Sequence, residues 1–268
     1  MASGAVIIIP ARYASVRYPG KPLAPLRGAD GTTRPLIERS WRAACAVPGI
    51  DRVIIATDDT RIAEAAQAFG AETAMTPESC RNGTERCAAA VTVLGIQSDV
   101  VVNLQGDAPL TPASLVGALL ARMAEDPALP VCTPALACSP SMLAALMADE
   151  AVGRVGGTTV VFGRNHDALY FSKRILPYIP AGRLAETPGA VHLHAGVYAY
   201  RPAALAAYAA LPVCPMEALE GLEQLRFLHG GVRIGLAVCA MPDWDLIELN
   251  NPSDVPAIEA ILAARGIS

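Results

Sequence analysis

Short apolar runs rich in β-branched residues alternate with helix-like segments through the first half of this chain, and no other feature constrains its fold as much. The first run is AVIIIP at residues 5–10, and similar runs follow at 52–57, 71–75, 99–104 and 130–137. Strands buried on both faces of a parallel sheet have this near-continuous apolar character. The alternation therefore predicts an α/β fold with a mainly parallel, Rossmann-like sheet and a ligand crevice at the carboxyl ends of its strands.

The rhythm changes after about residue 140. Short strands are predicted at 158–162, 168–171 and 195–200, separated by loops that contain proline and glycine. This portion predicts a smaller antiparallel and helical lobe, approximately residues 140–230, embedded in a single domain of residues 1–268. Leucines at helical spacing indicate one helix at 217–229, namely Leu219, Leu222, Leu225 and Leu228. The other predicted helices lie at 35–47, 60–69, 83–93, 112–125, 202–210 and 253–264, and the last strand at 233–238.

Charge and cysteine content exclude several classes of protein. The formal net charge is -4, and no basic stretch is available to bind nucleic acid or a membrane surface. A content of 53% hydrophobic and 17% charged residues excludes intrinsic disorder. The seven cysteines form no CxxC pair and are expected to be reduced core residues of a cytoplasmic protein. We expect neither a signal peptide nor a membrane span.

The loop after the first predicted strand concentrates positive charge. Its sequence, PARYASVRYPGKP at residues 10–22, contains Arg12, Arg17 and Lys21 and no acidic residue. Cations at the carboxyl end of a buried strand can converge on one polyphosphate. The loop lacks the GxxxxGK[ST] pattern and the chain lacks GxGxxG, so neither a P-loop ATPase nor a dinucleotide dehydrogenase is predicted. The alternative is a solvated loop without a ligand.

Three further motifs are candidates for chemistry. Asp107, in the QGD sequence at 105–107, places a carboxylate after a buried strand, and a carboxylate among phosphates predicts Mg²⁺; alternatively, it only caps the next helix. NGTER at 82–86 opens a helix, so Arg86 and the backbone N–H groups can hold an anion, with ordinary capping as the alternative. His192 and His194 lie in or just before a strand, and we expect only one to point into a site. An HxH sequence without further ligands does not predict zinc.

These motifs, with four others, resemble the CMP-Kdo synthetases, which are the 3-deoxy-manno-octulosonate cytidylyltransferases. The others are IATDD at 55–59, ALYFSK at 168–173, HAGVYAYR at 194–201 and LEQLRFL at 222–228, and all seven occur in the family's order. The resemblance implies a nucleotidyltransferase domain with an inserted acceptor and dimerisation lobe, acting as a cytoplasmic homodimer. It implies that CTP and the sugar acid Kdo react to give CMP-Kdo and pyrophosphate, with Mg²⁺ as the cofactor and with no nucleic acid or membrane as a partner.

The resemblance also implies roles for individual residues. The catalytic residues are Arg12, Lys21 and Asp107, and the metal ligands are Asp107 and Asn250. The nucleotide-binding residues are Pro10, Ala11, Arg12, Ser15, Lys21, Arg86 and Gln105. The acceptor-binding residues are Lys173, His194, Tyr198, Glu220 and Gln224.

The chain departs from the family's pattern at four places. Asn250 stands where the family has an aspartate that gives the metal a second carboxylate, and an asparagine offers an oxygen without a charge. Thr159 stands in place of a lysine and Lys173 in place of an arginine. Residues 28–33 form a turn-rich segment that resembles a surface insertion.

These departures leave other functions open. Two unit charges about 4 Å apart interact by roughly 4 kcal/mol at an effective dielectric of about 20, so losing one carboxylate favours a more anionic acceptor. A phosphonate such as phosphonoformate, whose attacking oxygen is already ionised, is therefore the alternative acceptor. The remaining alternatives are a catalytically silent nucleotide-binding protein and a guanylyl- or uridylyltransferase.

Overall fold

The computed structural model describes residues 4–15, 17–180, 183 and 189–268. The chain divides into two compact units, the first formed by residues 1–117, 200–206 and 242–268 and the second by residues 118–199 and 207–241. Within the described ranges, no helix is both long enough and apolar enough to cross a membrane.

The first unit contains a parallel sheet with the strand order β5-β4-β1-β6. The central strand β1 (Ala5–Ala11) pairs with β4 (Ile50–Thr57) on one side and with β6 (Val100–Asn103) on the other, and β5 (Glu72–Met75) pairs with β4. Residues 6–9 of β1 are fully buried. This arrangement confirms the predicted parallel α/β organisation and brings the loops after β1 and β6 to neighbouring strand ends.

Helices of the first unit begin where the sequence supplies polar caps. α2 (Thr60–Ala68) follows Asp59, whose carboxylate accepts a 2.9 Å hydrogen bond from the Arg61 N–H. α3 (Gly83–Leu94) follows Asn82, whose side chain accepts a 2.9 Å bond from the Glu85 N–H. Such caps satisfy backbone donors that the helix itself leaves free. The other helices that contribute to this unit are α1 (Leu36–Cys45), the start of α4 (Ala113–Glu125) and α9 (Val255–Ala264).

The segment predicted to be a surface insertion is the turn of a small hairpin. β2 (Pro25–Arg27) and β3 (Thr33–Pro35) pair antiparallel, and residues 28–32 connect them. Leu26 of β2 is fully buried in a cluster with Leu262 of α9. The hairpin is therefore attached to the core of the first unit through apolar packing.

The second unit combines parallel and antiparallel pairs. β7 (Val131–Ala137) pairs in parallel with β12 (Ile234–Ala240) and antiparallel with β10 (His192–His194). β8 (Thr158–Phe162) then pairs antiparallel with β10 and with β9 (Ala168–Ser172). The remaining elements are the strand β11 (Tyr198–Tyr200) and the helices α5 (Pro140–Ala151), α6 (Pro202–Ala210), α7 (Pro215–Glu220) and α8 (Leu225–His229). Boundaries between the two units fall within α4, β11 and α6.

Three local predictions for this region were wrong. The single helix at 217–229 is two helices, because Gly221 adopts a left-handed conformation (φ +63°) that ends α7, and Leu219 is 87% exposed. The single strand at 195–200 was wrong in its extent, because only residues 198–200 form a strand (β11, Tyr198–Tyr200) and the preceding strand, β10, ends at His194. α5, which the sequence analysis did not predict, begins after Ser139, whose hydroxyl accepts a bond from the Met142 N–H.

A buried ion pair holds α7 and α8 together. The Arg226 guanidinium donates two hydrogen bonds to the Glu217 carboxylate, one of them with a Nε to Oε2 distance of 2.7 Å. Arg226 also lies 4.2 Å from the centroid of the Tyr208 ring. Because both charged groups are buried, each is compensated mainly by its partner, and removing one partner leaves an uncompensated buried charge.

We predict that Glu217→Gln lowers the free energy of unfolding by about 3 to 5 kcal/mol, the usual cost of breaking a buried ion pair. Urea denaturation followed by circular dichroism measures this change. The matched control is Glu150→Gln, since Glu150 pairs with Arg174 at the surface and its loss is expected to cost less than about 1 kcal/mol. Equal effects of the two substitutions would contradict the prediction.

Candidate active site

The QGD turn after β6 lies against the end of β1. A side-chain carbon on Gly106 would be 2.8 Å from the Pro10 carbonyl oxygen, closer than real contacts of this kind allow, so only glycine fits there. The Ser40 hydroxyl donates a 2.9 Å hydrogen bond to the Gly106 carbonyl from α1. These contacts set the position of Asp107 beside the basic loop.

Asp107 and Lys21 form an ion pair at the ends of these two strands. The Lys21 Nζ to Asp107 Oδ2 distance is 2.6 Å, and the two side chains are 14% and 25% exposed. Gly20, with φ +70°, turns the chain just before Lys21, and a side-chain carbon there would lie about 3.1 Å from the Tyr13 ring. Asp107 therefore contacts a cation of the basic loop, and among the described residues its carboxylate accepts no capping bond from α4.

The other cations of the basic loop have different surroundings. Arg12 is exposed and has no hydrogen bond or ion pair to a residue that the structure describes. Arg17 donates a 2.7 Å bond from Nη2 to Asn250 Oδ1. Ser15 is half-buried, and its backbone N–H donates to the Tyr13 carbonyl. Arg12 is thus the cation of this loop that is available for a ligand without breaking an existing bond.

The start of α3 lies beside the ends of β1 and β6. A side-chain carbon on Gly83 would be 3.2 Å from the Asn103 and Gln105 amide nitrogens and 3.3 Å from the Pro10 ring. Asn103 is fully buried, and its Nδ2 has no hydrogen-bond partner among the described residues. An unpaired buried N–H group is costly, so a ligand acceptor at this position would satisfy it. The sequence analysis did not identify Asn103, although a polar residue ending the VVVN strand was a usable signal.

Arg86, predicted to bind the nucleotide, is engaged inside the protein. Its Nη1 donates to the Thr76 hydroxyl and its Nη2 to Asp58 Oδ2, both at 2.6 Å, and its side chain is 3% exposed. In this arrangement the guanidinium joins α3 to the loop after β4. A direct contact of Arg86 with a ligand stays a prediction.

A segment near the end of the chain lies next to Asp107. The Leu249 N–H donates a 2.8 Å bond to the Asp107 carbonyl oxygen, which brings Glu248 and Asn250 to this place. Burial and the negative charge of Asp107 raise the pKa of Glu248 to about 7, while a hydrogen bond from Asn250 opposes the rise. The sequence analysis predicted Asn250 and missed Glu248, whose position only the fold reveals.

The donor set around Asp107 suits a hard cation. Within the described part of the chain, no group of three or more His, Cys, Asp or Glu residues could hold a metal by itself. Mg²⁺ does not require such a group, because it usually takes one or two carboxylates and completes its shell with water and phosphate oxygens. The oxygens near Asp107 and the adjacent basic loop fit this type of site.

In the second unit, three predicted residues form what we call the His194 cluster: His194, Tyr198 and Gln224. The His194 and Tyr198 ring centroids are 5.4 Å apart, and the Tyr198 hydroxyl donates to Gln224 Oε1 at 3.1 Å. Gln224 Nε2 is buried and has no partner among the described residues. The cluster therefore contains an amide N–H group that is available to a ligand.

The hydrogen bonds of Thr133 indicate the tautomer of His194. The Thr133 hydroxyl donates to the Val197 carbonyl at 2.8 Å, so it must accept at its 2.9 Å contact with His194 Nε2. His194 accordingly carries its proton on Nε2. Burial lowers the pKa of His194 to about 3, so the imidazole is neutral near pH 7.

His192 was expected to face away from His194, but residues two apart in one strand share a face, and both lie in β10.

Lys173 and Glu220 lie together elsewhere in the second unit. The Glu220 carboxylate accepts bonds from the Ser172 hydroxyl at 2.7 Å and from the Lys173 N–H at 3.0 Å. The Lys173 ammonium lies over Gly221, where an added side-chain carbon would be 3.0 Å away.

Thr159 is buried, and its hydroxyl donates to the Arg174 carbonyl at 2.6 Å and accepts from the Leu176 N–H. Thr159 thus supports the loop after β9 through its own hydrogen bonds.

Comparisons with known proteins identify the family to which this chain belongs. A family model described as cytidylyltransferase matches residues 6–234. A 3-deoxy-manno-octulosonate cytidylyltransferase of Maricaulis maris is 44% identical over 97% of each chain. An 8-amino-3,8-dideoxy-manno-octulosonate cytidylyltransferase of Shewanella pealeana is 37% identical over 96% of this chain and 97% of its own. A solved CMP:2-keto-3-deoxy-manno-octonic acid synthetase complexed with CTP has a TM-score of 0.83 and 36% identity, covering 98% of this chain and 100% of its own.

The neutral state of His194 predicts acid lability. The pKa of His194 is lower in the folded protein than the ordinary 6.5, so below about pH 6.5 the unfolded chain binds a proton that the folded protein does not. The free energy of unfolding is therefore highest above about pH 6.5 and decreases as the pH falls toward 3. Each pH unit in that window costs up to about 1.4 kcal/mol. His194→Gln, which keeps a polar group but cannot titrate, is expected to lose less stability between pH 7 and pH 4.5 than the wild type.

Thermal unfolding at the two pH values measures this difference. His229→Gln is the matched control, since His229 is exposed in the same unit. An imidazole NMR signal of His194 that titrates near pH 6.5 would contradict the prediction.

Proposed function

Since this chain belongs to the cytidylyltransferase family, we propose that it transfers the cytidylyl group of CTP to 3-deoxy-manno-octulosonate (Kdo), giving CMP-Kdo and pyrophosphate. The observation that carries the proposal is the Lys21–Asp107 pair at adjoining strand ends. Near it lies the unpaired amide of Asn103, which ends β6 beside the start of α3. A cation, a carboxylate and a buried N–H donor meet the needs of a nucleoside triphosphate with its metal.

The reaction requires positioning and charge stabilisation more than covalent catalysis. A hydroxyl oxygen of the acceptor gives its proton to water and attacks the α-phosphorus of CTP, so that the new P–O bond forms and the bond to the bridging oxygen of the β-phosphate breaks. The electron pair leaves with pyrophosphate, whose negative charge Lys21 and Arg12 stabilise. Arg12 is suited to this role because it is exposed and forms no ion pair with a described residue.

We propose Mg²⁺ as the cofactor, held by Asp107 and by oxygens close to it. When bound, such an ion neutralises phosphate charge and orients the triphosphate. The Ser40 and Leu249 bonds to the backbone of residues 106–107 hold Asp107 ready for this task. Gln105 and Asn103 then remain as polar groups for the nucleoside.

For the acceptor, we propose binding by the His194 cluster together with Lys173 and Glu220. A neutral imidazole and amide groups suit the hydroxyls of a sugar acid, and the Lys173 ammonium suits its carboxylate. The names of the Maricaulis and Shewanella relatives support a manno-octulosonate acceptor. These names differ in the substituent at carbon 8 of the acceptor, so an experiment must decide whether the acceptor of this chain carries a hydroxyl or an amine there.

The phosphonate alternative depended on a missing negative charge at residue 250. Glu248 lies two residues before Asn250 on the segment that is bonded to Asp107 through Leu249, so a carboxylate is available at this place after all. The charge argument for a more anionic acceptor is therefore weakened. Homodimer formation and a cytoplasmic location are further parts of our proposal and follow from the family resemblance.

Pyrophosphate release with CTP and Mg²⁺ tests the function directly. We expect turnover with Kdo or its 8-amino analogue, and none with phosphonoformate or when GTP or UTP replaces CTP. Lys21→Ala is expected to lower kcat/KM by about 100-fold or more, as loss of a transition-state donor does. Arg52→Ala, which removes an exposed cation of the same unit, is the control.

Two results would refute the proposal. CTP binding without pyrophosphate release with any acceptor would favour a silent nucleotide-binding protein. Turnover only with phosphonoformate would favour the phosphonate alternative.

Asn103 provides a second test, of the nucleotide site alone. Asn103→Leu is expected to raise KM for CTP about tenfold, the effect of losing one buried hydrogen bond of about 1.4 kcal/mol. The free energy of unfolding should not fall, because the substitution removes an unpaired buried N–H group. Gln67→Leu is the control at an exposed amide. An unchanged KM together with reduced stability would assign Asn103 a purely structural role.

A further inference from the structure

Residues 248–250 are held against Asp107 by the backbone. The Leu249 N–H donates to the Asp107 carbonyl at 2.8 Å, and the Leu249 side chain is fully buried in the apolar cluster of the first unit. The side chains on either side of it belong to Glu248 and Asn250. Two residues with oxygen atoms thus lie beside Asp107.

Asn250 is poorly suited to bind a cation itself. Its single oxygen, Oδ1, already accepts a 2.7 Å bond from the Arg17 guanidinium. A divalent cation on the same oxygen would lie close to the positive charge of Arg17, and like charges repel. The amide nitrogen carries only N–H donors and cannot coordinate a metal.

Glu248 has the properties that Asn250 lacks. Its carboxylate is an oxygen donor with a charge, and it interacts electrostatically with Asp107, Lys21 and Arg17. Lys21 contacts only Oδ2 of Asp107, and Oδ1 forms no hydrogen bond within the part of the chain that the structure describes. One oxygen of Asp107 and the carboxylate of Glu248 are therefore available for one cation.

We propose that Glu248 supplies the second carboxylate of the divalent-cation site, and that Asn250, whose side-chain oxygen is bonded to Arg17, is not a ligand of the cation. This inference deepens the proposed function and rests on it for the use of the cation. It makes a separate claim about binding, because the cation is expected to bind the protein whether or not an acceptor is present. Mn²⁺ is a suitable probe, since carboxylate oxygens bind it as they bind Mg²⁺.

The experiment titrates the full-length protein with Mn²⁺ alone and measures free Mn²⁺ by electron paramagnetic resonance. Glu248→Gln, which preserves shape, is expected to weaken Mn²⁺ binding at least about tenfold, the lower end of what loss of an outer-shell partner costs. Asp107→Asn should weaken it similarly. Asn250→Ala should have a smaller effect with an unchanged thermal midpoint, and Asp245→Asn, which removes an exposed charge of the same segment, should have none.

Three results would overturn the inference: wild-type affinity in Glu248→Gln, a loss in Asn250→Ala as large as in Glu248→Gln, or no saturable Mn²⁺ binding by the wild type. The outcome is distinguishable from failure of the proposed function. Mn²⁺ binding that depends on Glu248 in a protein without pyrophosphate release would support the cation site and refute the activity. Pyrophosphate release by the wild type, together with wild-type Mn²⁺ affinity in Glu248→Gln, would support the activity and refute the proposed cation site.

Discussion

The close approach of the Gly106 backbone to the end of β1 is the constraint on which the first site depends. No side chain can be accommodated at residue 106, because it would meet the Pro10 carbonyl at 2.8 Å. This contact joins the loop after β1 to the loop after β6, and it aligns Asp107 with Lys21. The parallel sheet makes the contact available, because β1 and β6 are adjacent and end on the same side. A change in the register of these two strands would separate the cation from the carboxylate.

Charge balance at this site is the second organising principle. Lys21 pairs with Asp107, Arg17 donates a hydrogen bond to Asn250, and Glu248 interacts electrostatically with the same charged groups. An arrangement of this kind is compact without a ligand, because internal cations satisfy the carboxylates. It can also exchange partners, since a divalent cation that takes over the carboxylates leaves Lys21 free to contact a phosphate. In the function that we propose, Lys21 would remain in this ion pair until the metal–nucleotide complex binds.

Much of the fold follows from local patterns, and the exceptions have identifiable causes. The β1, β4 and β6 strands are recognisable because a doubly covered strand must be apolar throughout. The break at Gly221 could not be predicted from leucine spacing, because Leu219 continues the spacing of Leu222, Leu225 and Leu228 although it is exposed. Lys21 and Asp107 could be placed together because strand ends converge. Glu248 could not, because a single glutamate carries no pattern until distant segments are brought together, whereas the place of Asn103 at the end of the VVVN strand was a usable signal.

The bond from Thr133 to Val197 has a consequence for selectivity in the second unit. By using its only proton on a carbonyl, Thr133 obliges His194 to keep a proton on Nε2 and a lone pair on Nδ1. The imidazole therefore offers an acceptor, and the Gln224 amide offers a donor, with no net charge between them. A hydroxyl can satisfy either group, whereas a carboxylate can satisfy only the donor. In the acceptor site that we propose, selectivity would therefore depend on the direction of hydrogen bonds, which Thr133 sets through His194.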